Sequence, residues 1–151
     1  MRWSQKVFLD TSVVITSLLS NRGPGSAIFD LARLGRITII MTEIVVVEAY
    51  EAVKRKYPQK QADLATFLSE FQKSVKPSPT FTELQKFSGV ISDPDDRHIL
   101  AGATKYKVDT LITHDRHHFL TPAMQQANFG FTIETPGQFM KRYRTELEQL
   151  A

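Results

Sequence analysis

Cysteine is absent from the 151 residues, which excludes a disulfide framework and a thiolate zinc site. The same absence fits a cytoplasmic protein. No apolar run approaches the ~20 residues that a membrane-spanning helix needs, so no membrane partner is expected. The opening MRWSQKVFLD carries no secretory hydrophobic segment. Internal repeats, low-complexity tracts and linkers are missing as well. The chain therefore reads as one domain over residues 1–151, long enough to bury a core. A large excess of one charge is also lacking: 19 Lys and Arg stand against 16 Asp and Glu, a net +3. That mild basic balance is compatible with a polyanionic partner without requiring one. The 42% hydrophobic content excludes general disorder.

What is present concentrates in residues 92–119, SDPDDRHILAGATKYKVDTLITHDRHHF. Asp96, Ile99, Leu100 and Ala103 fall at i, i+3, i+4 and i+7, so an acid shares a helical face with residues that should be buried. Residues 110–113 read as a short strand, with Asp115 just beyond its end. Asp93-Pro94-Asp95-Asp96 is a good helix start: Asp93 can cap, Pro94 suits the first position, and the following acids favour the helix dipole.

Elsewhere, residues 6–10 predict a buried strand ending in Asp10, and residues 11–19 a helix capped by Thr11 or Ser12. A turn follows at 21–25, then a helix capped by Ser26 and stopped by Gly35. Residues 37–41 predict a second strand, apolar enough to be covered on both faces. Residues 42–57 carry both β-branched and helix-favouring stretches and are assigned to a helix. Leu64, Leu68, Phe71 and Val75 form a helical stripe over 60–75. A connector follows at 76–80, then short helices at 82–87 and from Thr121-Pro122, and a last strand at 129–134. Thr135-Pro136-Gly137-Gln138 forms a capping box for a final helix that packs Phe139, Tyr143, Leu147 and Leu150. Alternating strands and helices imply an α/β fold, a mainly parallel sheet between two helical layers.

In such a sheet Asp10 and Asp115 both end strands at one edge, Asp96 opens a helix there, and Glu48 lies about a turn inside the helix after the second strand. Two unit charges ~5 Å apart at an effective dielectric of ~20 repel by roughly 3 kcal/mol, so converging carboxylates need a proton or a cation. Oxygen-only donors suit Mg²⁺ or Mn²⁺, and such a site can activate water and neutralise charge on a phosphodiester. Lys54, Arg55, Lys56 and Lys60 could hold a nucleic-acid backbone nearby, although a basic helix end is more often simply solvated.

These residues resemble the PIN-domain family, the fold of VapC-type toxins and related metal-dependent ribonucleases. The matching pieces are VFLDTSVVITSLL at 7–19, TEIVVVEAYEAV at 42–53, DPDDRHILAGA at 93–103 and LITHD at 111–115, with SNRGPGSAIFDLARLGR at 20–36 and TPGQF at 135–139. The resemblance implies a three-layer α/β/α domain and places the family's acids on Asp10, Glu48, Asp96 and Asp115, as metal ligands and catalytic groups. Ser12 stands where the family often has asparagine, and Thr113 matches the hydroxyl residue before the fourth acid. The implied activity is Mg²⁺- or Mn²⁺-dependent endoribonuclease, acting on RNA as the toxin of a toxin–antitoxin pair. An antitoxin protein and a homodimer are the implied protein partners. Arg116, with Lys54 and Arg55, is a candidate RNA contact. His114, His117 and His118 invite a zinc reading, but His114 and His118 would be i, i+4 only on a helix; leaving a strand, the segment is expected to be a solvated loop, or to contact phosphate through Arg116 and His117. Two other functions remain open. One is a non-catalytic RNA-binding or regulatory module. The other is an aspartyl phosphatase with Asp10 as nucleophile, which expects a second acid where Ser12 stands.

Overall fold

The computed structural model describes residues 5–91 and 93–150. Its strands are β1 (Gln5–Leu9), β2 (Ile37–Thr42), β3 (Val75–Lys76), β4 (Thr110–Ile112) and β5 (Thr132–Glu134). Its α-helices are α1 (Thr11–Leu19), α2 (Pro24–Arg33), α3 (Glu43–Lys56), α4 (Gln61–Glu70), α5 (Phe81–Gln85), α6 (Pro94–Lys105), α7 (Pro122–Gln126) and α8 (Pro136–Glu148). The strands form one sheet in the order β3-β2-β1-β4-β5. All four pairings are parallel, with Val7 opposite Ile39 on one side of β1 and Thr110 on the other.

The central strand shows why the architecture has three layers. Successive strand residues point to opposite faces, yet Val7, Phe8 and Leu9 are all fully buried, so both faces of the sheet are covered. One continuous apolar cluster joins them to Phe29, Val45, Leu64, Leu100, Leu111 and Phe139. Each fully buried side chain of this size contributes roughly 1.5–3 kcal/mol. The approach of α6 to the sheet depends on Gly102, where a Cβ would lie 2.8 Å from ring carbons of Phe8 and 3.3 Å from Cγ2 of Thr42. Among the described residues no helix is long and apolar enough to cross a membrane.

The α/β/α expectation holds, with local corrections. The strand β3 was expected as the end of a helix and a connector. Instead α4 stops at Glu70, a 3-10 turn covers Gln72–Ser74, and Val75 and Lys76 pair with Met41 and Thr42. A two-residue edge strand is too short to show periodicity. Neither Thr11 nor Ser12 caps α1: Asp10 does, its carboxylate accepting the Thr11 N–H at 2.7 Å. Gly23, followed by Pro24, caps α2 in place of Ser26, whose hydroxyl donates to the Ser17 carbonyl at 3.2 Å. Gly35, with φ of 71°, does end that helix. The 82–87 helix begins earlier, at Phe81, behind a Thr80/Glu83 capping box. The 129–134 strand is limited to Thr132–Glu134 because its partner β4 offers only three residues to pair with. The Thr135/Gln138 capping box forms as expected, but Leu150 lies past the end of α8 and is 45% exposed.

Gly102→Ala should destabilise the protein. It gains about 1 kcal/mol of helix propensity, yet overpacking a closed core costs about 1–3 kcal/mol, and the buried Phe8 ring has nowhere to move. The expected outcome is a lower urea midpoint at unchanged m-value; an equal or higher midpoint would show that the α6–sheet contact is slack.

Candidate metal centre

In this strand order β1 has β2 on one side and β4 on the other, so the chain reverses its direction of travel across the sheet between β1 and β4. Open parallel sheets leave a crevice at such a point, outside the carboxyl ends of the strands. Asp10 follows the end of β1, and Asp115 lies three residues beyond β4. Glu48 comes from the second turn of α3 and Asp96 from the first turn of α6.

Asp10 is the most enclosed of these acids. Its Oδ1 accepts the Thr11 N–H, and its Oδ2 accepts the hydroxyls of Thr113 at 2.7 Å and Ser12 at 3.3 Å. Burial nevertheless raises its pKa above the usual carboxylate value, with Glu48 adding repulsion; the three hydrogen bonds only partly offset this. Thr113, fully buried, is a bridge: its hydroxyl donates to Asp10 and accepts the Asp115 N–H at 3.0 Å. Ser12 plays a similar part, donating to Asp10 and accepting the His114 N–H at 3.2 Å.

Asp96 has a pKa pushed up to about 6, first by burial and then by the negative charges of Asp93, Asp115 and Asp10, against the opposing influence of His118. Its Oδ2 is buried and accepts no hydrogen bond; the nearest cationic group, His118 Nδ1, stands 3.4 Å away. An orphaned, desolvated carboxylate oxygen among other acids is what a hard cation would satisfy.

Asp115 differs. Burial opposes its ionisation, but hydrogen bonds from the His118 ring and from the backbone of His118 and His117 outweigh it and hold its pKa low. The bond to Asp115, at 3.0 Å, raises the His118 pKa in turn. Glu48 Oε1 accepts from Thr11 Oγ1 at 3.3 Å and lies 2.7 Å from His98 Nε2.

The structure therefore brings all four predicted acids, with Ser12 and Thr113, around one crevice. It does not draw the four into one tight cage. Among the described residues, the trio whose ligand atoms all lie within 4.8 Å of one another is Asp93, Asp96 and His118. Asp93 does cap α6 as expected, accepting the Asp95 N–H at 2.9 Å, but it also borders Asp96. His118 is exposed in the loop after β4, as expected, and that turn also folds it back onto Asp115, three residues earlier. Sequence spacing gave no sign of this, since the contact depends on the turn. The other missed residue, His98, had a visible signal: a polar ring in the run His98–Ala103, every residue of which is buried. Arg116 is exposed beside Asp115, whereas Lys54 and Arg55, also exposed, lie six or seven residues beyond Glu48. At 1.5 Å per residue that places them about 10 Å further along the α3 axis.

Comparison with known proteins agrees with this fold. Residues 6–117 match the PIN domain, and the chain belongs to the PIN-domain family. Among solved structures, it is similar to the crystal structure of VapBC2 from Rickettsia felis bound to a DNA fragment from their promoter (16% identity, TM-score 0.58, covering 86% of this chain and 98% of that one). It is also similar to FitAcB from Neisseria gonorrhoeae (19% identity, TM-score 0.58, covering 87% and 98%). A third is PAE2754 from Pyrobaculum aerophilum (14% identity, TM-score 0.56, covering 94% and 98%). No curated protein matches the chain by sequence.

A carboxyl group with a raised folded-state pKa binds more protons folded than unfolded over the interval between its two pKa values, so stability falls as pH rises through that interval. For Asp96 the interval runs from the ordinary 3.8 to about 6. Asp10 acts in the same direction, whereas Asp115, with its lowered pKa, loses stability only in stronger acid. Asp96→Asn should thus flatten the decline of the metal-free melting temperature across that interval, measured by circular dichroism. A variant whose profile parallels the parent would mean that Asp96 is not under this strain.

Proposed function

We propose that the chain is a divalent-metal-dependent endoribonuclease and the toxin member of a toxin–antitoxin pair. PIN domains are generally nucleases, and the observation that carries the proposal is the buried Asp96 oxygen that accepts no hydrogen bond, in a crevice shared with Asp10, Glu48 and Asp115. The all-oxygen donor set and the raised pKa values of Asp10 and Asp96 fit Mg²⁺ or Mn²⁺. Asp10, Glu48 and Asp96 would hold the ion, and Asp115, already engaged by His118 and two backbone N–H groups, would complete the site or orient water. When bound, the ion supplies charge neutralisation at the scissile phosphate and a more acidic water.

The remaining roles belong to the chain itself. Thr113 and Ser12 fix the Asp10 carboxylate against rotation and tie it to the loop that carries Asp115 and Arg116. Arg116, exposed beside Asp115, would meet an RNA phosphate. Lys54 and Arg55 would extend that contact along the backbone of a longer strand. The VapBC2 structure of similar fold, bound to a DNA fragment from their promoter, supports an antitoxin partner for this chain. The family resemblance further implies a homodimer.

The test is cleavage of end-labelled RNA by purified protein with Mg²⁺ or Mn²⁺, with a chelator control. Asp10→Asn and Asp96→Asn should each lower the rate by about 10²-fold or more while keeping the parental circular dichroism spectrum, because each removes a charge worth several kcal/mol in the transition state. Folded variants that cleave like the parent would contradict the assignment.

A further inference from the structure

His98 is buried, with 8% of its side chain exposed. Its neighbours along α6, Ile99 through Ala103, are buried and apolar. A leucine would fill such a position without desolvating two ring nitrogens. One of those nitrogens, Nδ1, has no hydrogen-bond partner. The other, Nε2, lies 2.7 Å from Glu48 Oε1. A carboxylate can only accept, so a proton on Nε2 would serve this contact. This contact is the one polar interaction that accounts for a histidine at this depth.

Glu48 needs such a partner. It projects from α3, is 37% exposed and is attached to that helix by a flexible side chain. Asp10, in contrast, is held by three donors and Asp115 by its own loop. Both polar neighbours of Glu48, His98 and Thr11, address the same oxygen, Oε1. Fixing one oxygen of a carboxylate fixes the direction of the other.

Resting on the nuclease reading above, we infer that His98 is a positioning residue: its Nε2, 2.7 Å from Glu48 Oε1, holds that oxygen and so presents Oε2 to the cation. Polar contacts behind a ligand set its orientation and basicity. The helix α6 would then contribute twice, through Asp96 as a ligand and through His98 as the anchor of a ligand on α3.

The experiment measures Mn²⁺ binding to the purified protein by calorimetry, without RNA, for the parent, His98→Leu and His98→Gln. Gln places an amide N–H near the position of Nε2, whereas Leu keeps the volume and removes the donor. His98→Leu should weaken Mn²⁺ binding by about 10- to 100-fold, and His98→Gln should restore most of it. The metal-free melting temperature of His98→Leu should not fall, since an unpartnered ring nitrogen is removed. In a Glu48→Gln background, His98→Leu should cause no further loss of Mn²⁺ affinity. If His98→Leu binds Mn²⁺ like the parent, or if the losses add in the Glu48→Gln background, the positioning role is wrong. Should His98→Leu fail to fold, the donor-free His98→Met decides: a loss of about 10- to 100-fold in Mn²⁺ affinity with normal melting supports the positioning role, and parental affinity overturns it. A parent that binds no Mn²⁺ at all overturns the nuclease reading itself, and the inference with it.

Discussion

Electrostatic repulsion among carboxylates that the fold will not let separate is the constraint on which the rest of this structure turns. Asp10 is fixed at the end of the most buried strand, where it also caps α1; it cannot swing into water without uncapping that helix. Glu48, Asp96 and Asp115 arrive from three other elements. A pair of such charges a few ångströms apart costs on the order of 3 kcal/mol at an intermediate dielectric. Part of the strain is relieved by hydroxyls and backbone N–H groups, part by the His118 ring, and part by the tendency of Asp10 and Asp96 to keep a proton. The unsatisfied remainder is concentrated on one oxygen of Asp96.

The sheet order explains why these four elements meet. With β1 between β2 and β4, the two segments leaving the carboxyl ends of β1 and β4 flank the same crevice. The helices α3 and α6 then enter from either side, their early turns closest to it. Apolar burial does the assembling: Phe8 lies under Gly102 of α6, and the side chains of Val45 and Ala49 bury one face of α3 beside Glu48. The packing that stabilises the protein is thus what compresses its acids.

Much of this was legible in the chain. A continuous apolar strand followed at once by an aspartate, and an acid on the buried stripe of a helix, are local patterns that the structure reproduces at Asp10 and Asp96. The PIN likeness, carried by four short stretches in order, fixed the family and fold correctly. Three things were hidden. The edge strand at Val75–Lys76 is defined by its partner rather than by its own pattern. The role of Asp10 as a cap was masked because it read as the end of the strand and is followed at once by Thr11 and Ser12, which also favour caps but stand one and two positions too late. The pairing of His118 with Asp115 and Asp96, and of His98 with Glu48, depends on a turn and on a helix–helix contact that one-dimensional spacing does not encode. The His98 ring was the more detectable of the two, as a polar group in a helix segment buried on every side.

The most direct measurement is a crystal of the protein soaked in Mn²⁺, with an anomalous difference map recorded at the manganese edge. A cation relieving the repulsion described above gives a peak within bonding distance of both Asp10 and Asp96, with Glu48 turned toward it. A peak confined to Asp93, Asp96 and His118, or none in the crevice at all, would contradict the account.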